Sequence, residues 1–478
     1  MRTASFSCLL LALLSGSGPA LAHPASMPLA LDNVQIIEPG HDRATAPRCV
    51  RIVDGHIARV TAAGRSTCVR GADVVDLSGR YLLPGLIDMH AHLSLGPLEV
   101  RRERGQARMV ATADDGIAKH NAERLVGFGV TTIRNPGGDL AAAGRYRQAR
   151  SAGTVVGPES FDAGPVINTA DIEGLATRVG NVAEVQQVVK AQVEAGADWI
   201  KLYTGLSPEL LRAGIEAAHE HGRPAIGHLE AISWPEALDM GLDSIVHLMP
   251  TSPDLLPDGE RRAWQSDARY GTFIFFEWWE HFDPDGPEAD RLVASFDRHR
   301  PVFDATLVAF HAAFVEDLDN PYKDDARRYA HPRLLANWTE WFTFALGWTG
   351  DDFERARAIW PKVQRMAVRL YDSVAAMTVG TDMSNPWIAP GISLHREMQL
   401  LADAGVPNAR ILQAATGNAA DALGAGDRIG HIGKGFEADL LVLDNNPLID
   451  IAHARDIHAV VLDGRLIDTS TLKNLRGE

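Results

Sequence analysis

Between residues 85 and 428 the chain alternates short apolar runs with longer amphipathic ones, and this alternation limits the fold more than any other feature. Buried strands alternating with helical patterns call for a mostly parallel sheet with crossover helices. The first strand is carried by Leu82, Leu83, Leu86 and Ile87, inside Pro84-Gly-Leu-Ile-Asp-Met-His-Ala-His-Leu93. Further candidates lie at residues 129–134, 160–167, 198–203, 224–228, 243–247, 302–308 and 376–380. With the first strand they make eight, the count of a (β/α)8 barrel. Helical patterns fill residues 182–195 (after an Asn cap), 207–221 and 234–240. Residues 251–286, rich in aromatics and prolines, and 309–373 are longer than a simple repeat needs. Insertions on barrel loops shape pockets, so both are expected to face a substrate.

The two ends of the chain share another texture. Residues 50–54 and 55–60 flank Asp54-Gly55, a strong hairpin signal, and 74–77 and 81–83 continue the strands. Residues 439–443 and 458–462 are again apolar strands, with Asp463-Gly464 turning into 465–467. The expectation is therefore an α/β protein: a distorted (β/α)8 TIM barrel over residues 85–427. A small β-sandwich would be built from both chain ends, residues 23–84 and 428–478.

Residues 1–22 stand apart. Arg2 gives a positive start, residues 9–14 a short apolar core, and Ala20-Leu21-Ala22 a small-x-small cleavage pattern. This predicts a secretory signal peptide cut before His23, and hence a periplasmic or secreted protein. The apolar run is far shorter than the roughly 20 residues a bilayer needs. Cys8 would leave with the signal, so Cys49 and Cys68 remain as a plausible disulfide in an oxidising compartment. A formal net charge of -16, with no basic cluster, argues against nucleic-acid and membrane partners. A small-molecule or dipeptide substrate suits the chain, and a homo-oligomer is compatible with it.

The strand ends carry the chemistry. His90 and His92 end the first strand, and residues two apart on a strand point the same way, so both imidazoles can grip one ion. Lys201 lies late in the fourth strand, His228 and His247 end the fifth and sixth, and Asp382 follows the eighth in Val379-Gly-Thr-Asp382. The C-terminal strand ends of a barrel converge on one face. Four histidines, a lysine and an aspartate meeting there are hard to explain as packing. Imidazole and carboxylate ligands suit divalent ions, with zinc the expected one and Mn²⁺ and Co²⁺ open. A cationic lysine is a poor metal neighbour, but carbon dioxide captured on Lys201 as a carbamate makes a carboxylate that can bridge two ions. Two such ions can acidify a shared water, and Asp382 can accept its proton and pass it to the leaving group.

These motifs, with Gly196-Ala-Asp-Trp-Ile-Lys-Leu-Tyr-Thr-Gly205, Ala225-Ile-Gly-His-Leu-Glu230 and Asp243-Ser-Ile-Val-His-Leu248, resemble the amidohydrolase superfamily. The nearest subset in resemblance is the imidazolonepropionase-like and Xaa-Pro-dipeptidase-like enzymes with binuclear metal centres. Ile392-Ser-Leu-His-Arg-Glu397, Ala414-Ala-Thr-Gly-Asn-Ala-Ala420 and the stretch 430–443 extend the likeness, which runs from about residue 31 to residue 465. The resemblance implies His90, His92 and Asp382 on a first metal, His228 and His247 on a second, and carboxylated Lys201 between them. The chain departs from many relatives at Glu230, where a second histidine is common nearby. It departs again at Arg134-Asn135-Pro136, where an acidic residue is common.

Weaker candidates are Tyr203, on the face of Lys201 and able to donate to a substrate carbonyl, and Arg134, a candidate for binding a substrate carboxylate. His395 is a candidate for supporting the site from behind. Asp88 is expected to be structural, and His219 and His221 to lie on a surface helix away from any metal. Asn337-Trp-Thr339 is a glycosylation sequon with meaning only in a eukaryotic secretory pathway. The resulting expectation is an extracytoplasmic binuclear hydrolase. A metal-bridging hydroxide would attack the amide carbonyl of a dipeptide or N-acyl amino acid, with Asp382 as proton shuttle and Tyr203 assisting. Rival readings are hydrolysis of a cyclic amide, lactone or phosphoester on the same centre, mononuclear deamination, and a metal-binding protein without catalysis.

Overall fold

The computed structural model describes residues 27–103, 106–269, 271–373 and 376–478. The signal-peptide reading of residues 1–22 lies outside the described residues. Leu86–Asp88, Val130–Asn135 and Glu159–Asp162 form a three-stranded parallel sheet. Ala176–Arg178, Val166–Asn168, Ile200–Leu202, Ala225–Gly227, Ser244–Val246, Val302–Asp304 and Ala376–Thr378 follow as a seven-stranded parallel sheet in that order. Bridges join the two sheets on both sides. Ala163 pairs with Trp199 on one side and Ala91 with Met383 on the other, where Met89 N donates to Val379 O at 2.9 Å and Asp382 N to His90 O at 2.8 Å. The result is a TIM-barrel-like parallel α/β domain. Gly380 permits the second junction: a Cβ there would stand 2.7 Å from His90 Cβ and 3.0 Å from His90 N.

Helices on the outer face follow the expected pattern. Val182–Glu194 starts at Asn181, whose side chain accepts from Glu184 N, and Pro208–Glu220 starts at Ser207, which accepts from Leu210 N. Each buries one apolar stripe, Val185 and Val189 in the first and Leu211 and Ile215 in the second. Two expected strands differ. The run 160–167 is interrupted at Gly164-Pro165, because proline has no N–H for the ladder, and resumes at Val166. The run 302–308 stops at Asp304. Thr306 turns left-handed (φ 47°), and Leu307 N and Val308 N donate to the buried Glu397 carboxylate at 2.9 and 2.6 Å, opening the helix Leu307–Phe314. The hairpin Glu99–Glu103 with Gln106–Val110 was not legible in the sequence.

Both chain ends share one eight-stranded sheet. Tyr81–Pro84 pairs in parallel with Leu29–Ile36 and antiparallel with Leu440–Leu443, which pairs in turn with Ile457–Leu462. Seven of the strands form one continuous path, and Asp73–Asp76 pairs in parallel with Leu29–Ile36 off that path. Asp54-Gly55 and Asp463-Gly464 make the turns, with φ of 47° and 81°, and 50° and 77°. Leu31, Val50, Leu82, Leu440 and Val461 pack in one apolar cluster, and Cys49 is disulfide-bonded to Cys68. No described helix is long and apolar enough to cross a membrane.

Where this sheet meets the parallel domain, Asp439 is buried and accepts from Asp463 N at 2.7 Å, while its carbonyl accepts from Gly85 N. Burial pushes its carboxyl from the ordinary 3.8 to about 7. A folded-state value above the unfolded one favours the protonated native state, so Asp439 makes the protein lose stability as pH rises from about 4 to about 7. Asp439→Asn keeps the acceptor without the charge. It should flatten this slope and raise stability at pH 8 by at least about 1 kcal/mol in urea unfolding. Parallel pH profiles in the two proteins would contradict the assignment.

Candidate metal centre

Parallel strands share a direction, so residues at their C-terminal ends meet on one face. His90 and His92 follow Leu86–Asp88, Lys201 is central in Ile200–Leu202, and Tyr203 is next on the same face. His228 directly follows Ala225–Gly227, His247 follows Ser244–Val246, and Asp382 lies beyond Ala376–Thr378. All seven line one cavity of about 340 Å³. His247 and Asp382 sit in left-handed backbone (φ 66° and 64°). Such strain costs roughly 1–3 kcal/mol per residue and persists where the surroundings over-determine it, as at functional sites.

The ring orientations are set from behind. His90 Nδ1 donates to Asp304 Oδ2 at 2.8 Å and His92 Nδ1 to Gly137 O at 2.8 Å, while His247 Nδ1 bonds Thr306 Oγ1 at 2.8 Å. A carboxylate or carbonyl oxygen only accepts, which assigns the Nδ1 hydrogen in His90 and His92 and leaves the lone pair on Nε2. Both Nε2 atoms stand 3.3 Å from Asp382 Oδ1. Three lone-pair atoms converging without a hydrogen between them are a place for a cation. Ligand atoms of His90, His247 and Asp382 all lie within 4.8 Å of one another. The His247 ring is 4.5 Å from that of His90 and 4.4 Å from that of His228, so the imidazoles form one continuous group.

Burial sets the protonation states. It lowers His228 to about 3 and His247 well below the ordinary range, keeping both rings neutral as metal ligands require. Lys201 Nζ is buried with no hydrogen-bond partner among the described residues, and burial brings its ammonium down to about 7. A buried amine with nothing to pair with is costly, which fits a lysine whose nitrogen is meant to carry another group. Asp382 is buried beside these neutral rings and presents Oδ1 to the Nε2 atoms of both His90 and His92. Burial raises the Tyr203 hydroxyl, keeping it a donor.

Arg134 is not at the cavity. Its guanidinium is fully buried inside the strands, donating to Asp304 Oδ1 at 2.5 Å, Met89 O at 2.8 Å and Ser244 Oγ at 3.0 Å, so it has no free donor face for a substrate carboxylate. His395 Nε2 donates to Phe128 O at 2.9 Å and packs against that phenylalanine, away from the centre. Asp88 is structural, accepting from His90 N and Thr381 Oγ1. His219 pairs with Asp243 and His221 ends the surface helix. Asn337 donates to Leu98 O at 2.9 Å. Residues that sequence reasoning missed are Asp304 and Thr306, which orient the rings, and the cavity walls Phe275, Phe310 and Phe344. Those walls do come from the two long insertions, as expected.

Asp304 is the hinge of this arrangement, fully buried between Arg134 and His90. Asp304→Asn would leave the guanidinium without its counter-charge and should cost about 3–5 kcal/mol in urea unfolding. A loss below about 1 kcal/mol would show that the pair is not what holds the strands in place.

A sequence model of the amidohydrolase family matches residues 81–240 and 353–467, more than half of the chain. An uncharacterized protein of Mycobacterium tuberculosis is 29% identical over 208 residues, which is 41% of this chain and 50% of that one. An imidazolonepropionase of Chromobacterium violaceum is 25% identical over 218 residues, 38% of this chain and 52% of that one. The chain thus spans about half the length of the curated relatives it matches. Among solved structures, a Xaa-Pro dipeptidase with methionine bound in its active site superposes with a TM-score of 0.65 at 21% identity, over 92% of this chain and 100% of that one. With the family match covering both the first histidine pair and Asp382, the chain belongs to the amidohydrolase family.

Proposed function

We propose that this chain is a binuclear metal-dependent hydrolase of amide C–N bonds acting on a dipeptide or N-acyl amino acid. The observation that carries the reading is the meeting of His90 Nε2, His92 Nε2 and Asp382 Oδ1 at 3.3 Å, beside a buried, unpartnered Lys201 amine. His90, His92 and Asp382 would hold one divalent ion and His228 and His247 the other, with Lys201 between them as its carbon dioxide adduct. Zinc is the expected metal. Two such ions supply a water nucleophile at neutral pH and polarise the scissile carbonyl. Asp382, ionised, takes up a proton on its carboxylate and returns it to the leaving nitrogen. Tyr203, protonated, donates to the oxygen on which charge develops. The apolar walls exclude bulk water.

In the same reading the parallel strands close as a distorted (β/α)8 barrel, supported by the bridges of Ala163 with Trp199 and of Ala91 with Met383. The terminal sheet folds over its apolar cluster as a small sandwich. The protein works outside the cytoplasm after loss of residues 1–22, a placement supported by the leader-like sequence.

Metal-loaded protein should hydrolyse members of a dipeptide and N-acyl amino acid panel. Asp382→Asn should lower kcat by about 10²–10⁴, and Tyr203→Phe by about 10²–10³. Elemental analysis of each variant separates lost chemistry from lost metal. Asp382→Asn that keeps its metal and stays within tenfold of wild type would overturn the assignment of the proton shuttle.

A further inference from the structure

The cavity holds one charged group that the chemistry above does not use. Glu230 follows His228 by two residues and lines the same cavity as Tyr203, yet it has no ion-pair or hydrogen-bond partner among the described residues. The same cavity has an aromatic wall. Phe275 lies edge-on to Phe310 at 5.0 Å and to Phe344 at 5.7 Å, and Phe310 in turn abuts His247 at 6.0 Å. Among the described lining residues there is no arginine, and the sole lysine is Lys201. A substrate carboxylate therefore finds no guanidinium or free ammonium to receive it. An apolar side chain finds a wall, and a cation finds a carboxylate.

We propose that Glu230 is a specificity-determining residue that receives the ammonium of an aminoacyl substrate whose bulky apolar side chain rests on Phe275, Phe310 and Phe344. This rests on the reading of the cavity as an amide-hydrolysing site and divides its two substrate classes. A dipeptide or aminoacyl amide carries a free amine beside the scissile carbonyl, whereas an N-acyl amino acid has spent that nitrogen and offers only a carboxylate. A carboxylate left unpaired in a largely apolar cavity pays a desolvation cost that a bound ammonium relieves, while a neutral or anionic group at that place does not. The discrimination comes as much from what the cavity penalises as from what it attracts. Glu230 is a binding residue in this account, so its removal should act on KM and not on kcat.

The test uses two alcohols that contain no amide bond and differ by one amine: L-phenylalaninol and 3-phenyl-1-propanol. Calorimetric titration into the metal-loaded protein at pH 7 should give at least tenfold tighter binding of the amine. In Glu230→Gln the two should bind within about twofold of each other, with the alcohol's affinity unchanged from wild type. Equal affinities in wild type, or a preference that survives in Glu230→Gln because the amine is held elsewhere, would overturn the proposal. In kinetics, L-phenylalanyl-p-nitroanilide should lose at least tenfold in kcat/KM in the variant through KM, and 3-phenylpropanoyl-p-nitroanilide should change less than twofold. A matched fall in kcat for both anilides would place Glu230 in the chemistry and overturn its binding role. An amine preference in binding, with no hydrolysis of any amide by wild type, would sustain the Glu230 site and sink the hydrolase reading instead.

Discussion

The structure depends on one buried carboxylate. Asp304 receives Arg134 on one oxygen at 2.5 Å and His90 on the other at 2.8 Å, tying the strands Val130–Asn135 and Val302–Asp304 to the loop after Leu86–Asp88. An ion pair this deep is costly to assemble and contributes little net stability, but removing one partner is punished heavily. Its value is positional. Because His90 can satisfy Asp304 only through Nδ1, its Nε2 must face Asp382, and the meeting of these candidate ligands follows from a contact on the far side of the ring. The same logic acts through Gly137 on His92 and through Thr306 on His247.

Strain and close packing keep this geometry in place. His247, Thr306 and Asp382 all take left-handed backbone, which is uncommon outside glycine and an outlier for the β-branched Thr306. Thr306 is followed at once by the two amides that Glu397 receives, so the turn orienting His247 also begins the helix that carries Phe310. Gly380 lets the last strand approach His90 closely enough for Asp382 to reach both imidazoles. The cavity wall and the candidate ligands are thus parts of one framework.

The candidate residues could be gathered from the sequence because their logic is local. A period of two puts His90 with His92 and Lys201 with Tyr203, and a shared strand direction gathers the ends. The partners that aim those ligands were not legible. Asp304 lies in the run 302–308, which reads only as a strand, and its two partners lie 170 and 214 residues away, a pairing that no spacing rule exposes. Arg134 was misplaced for the related reason that a guanidinium at a strand end reads as a ligand binder, whereas here it is the filling of the strands' interior. The insertions were recognised as walls, but their helices alone could not say that Phe275, Phe310 and Phe344 would be the residues facing inward. Residues Asp54-Gly55 and Asp463-Gly464 announced their turns, yet the pairing of Tyr81–Pro84 between strands from opposite chain ends needed the fold.

A buried Lys201 without a partner among the described residues, beside five converging candidate ligands, is what points to one binuclear centre. The measurement that meets it most directly is metal content per chain, taken together with an intact-mass or crystallographic search for carbon dioxide on Lys201. The account predicts two divalent ions per chain and the lysine carried as its carbamate. One ion or none, with a free Lys201 amine despite ample bicarbonate and metal, would contradict it.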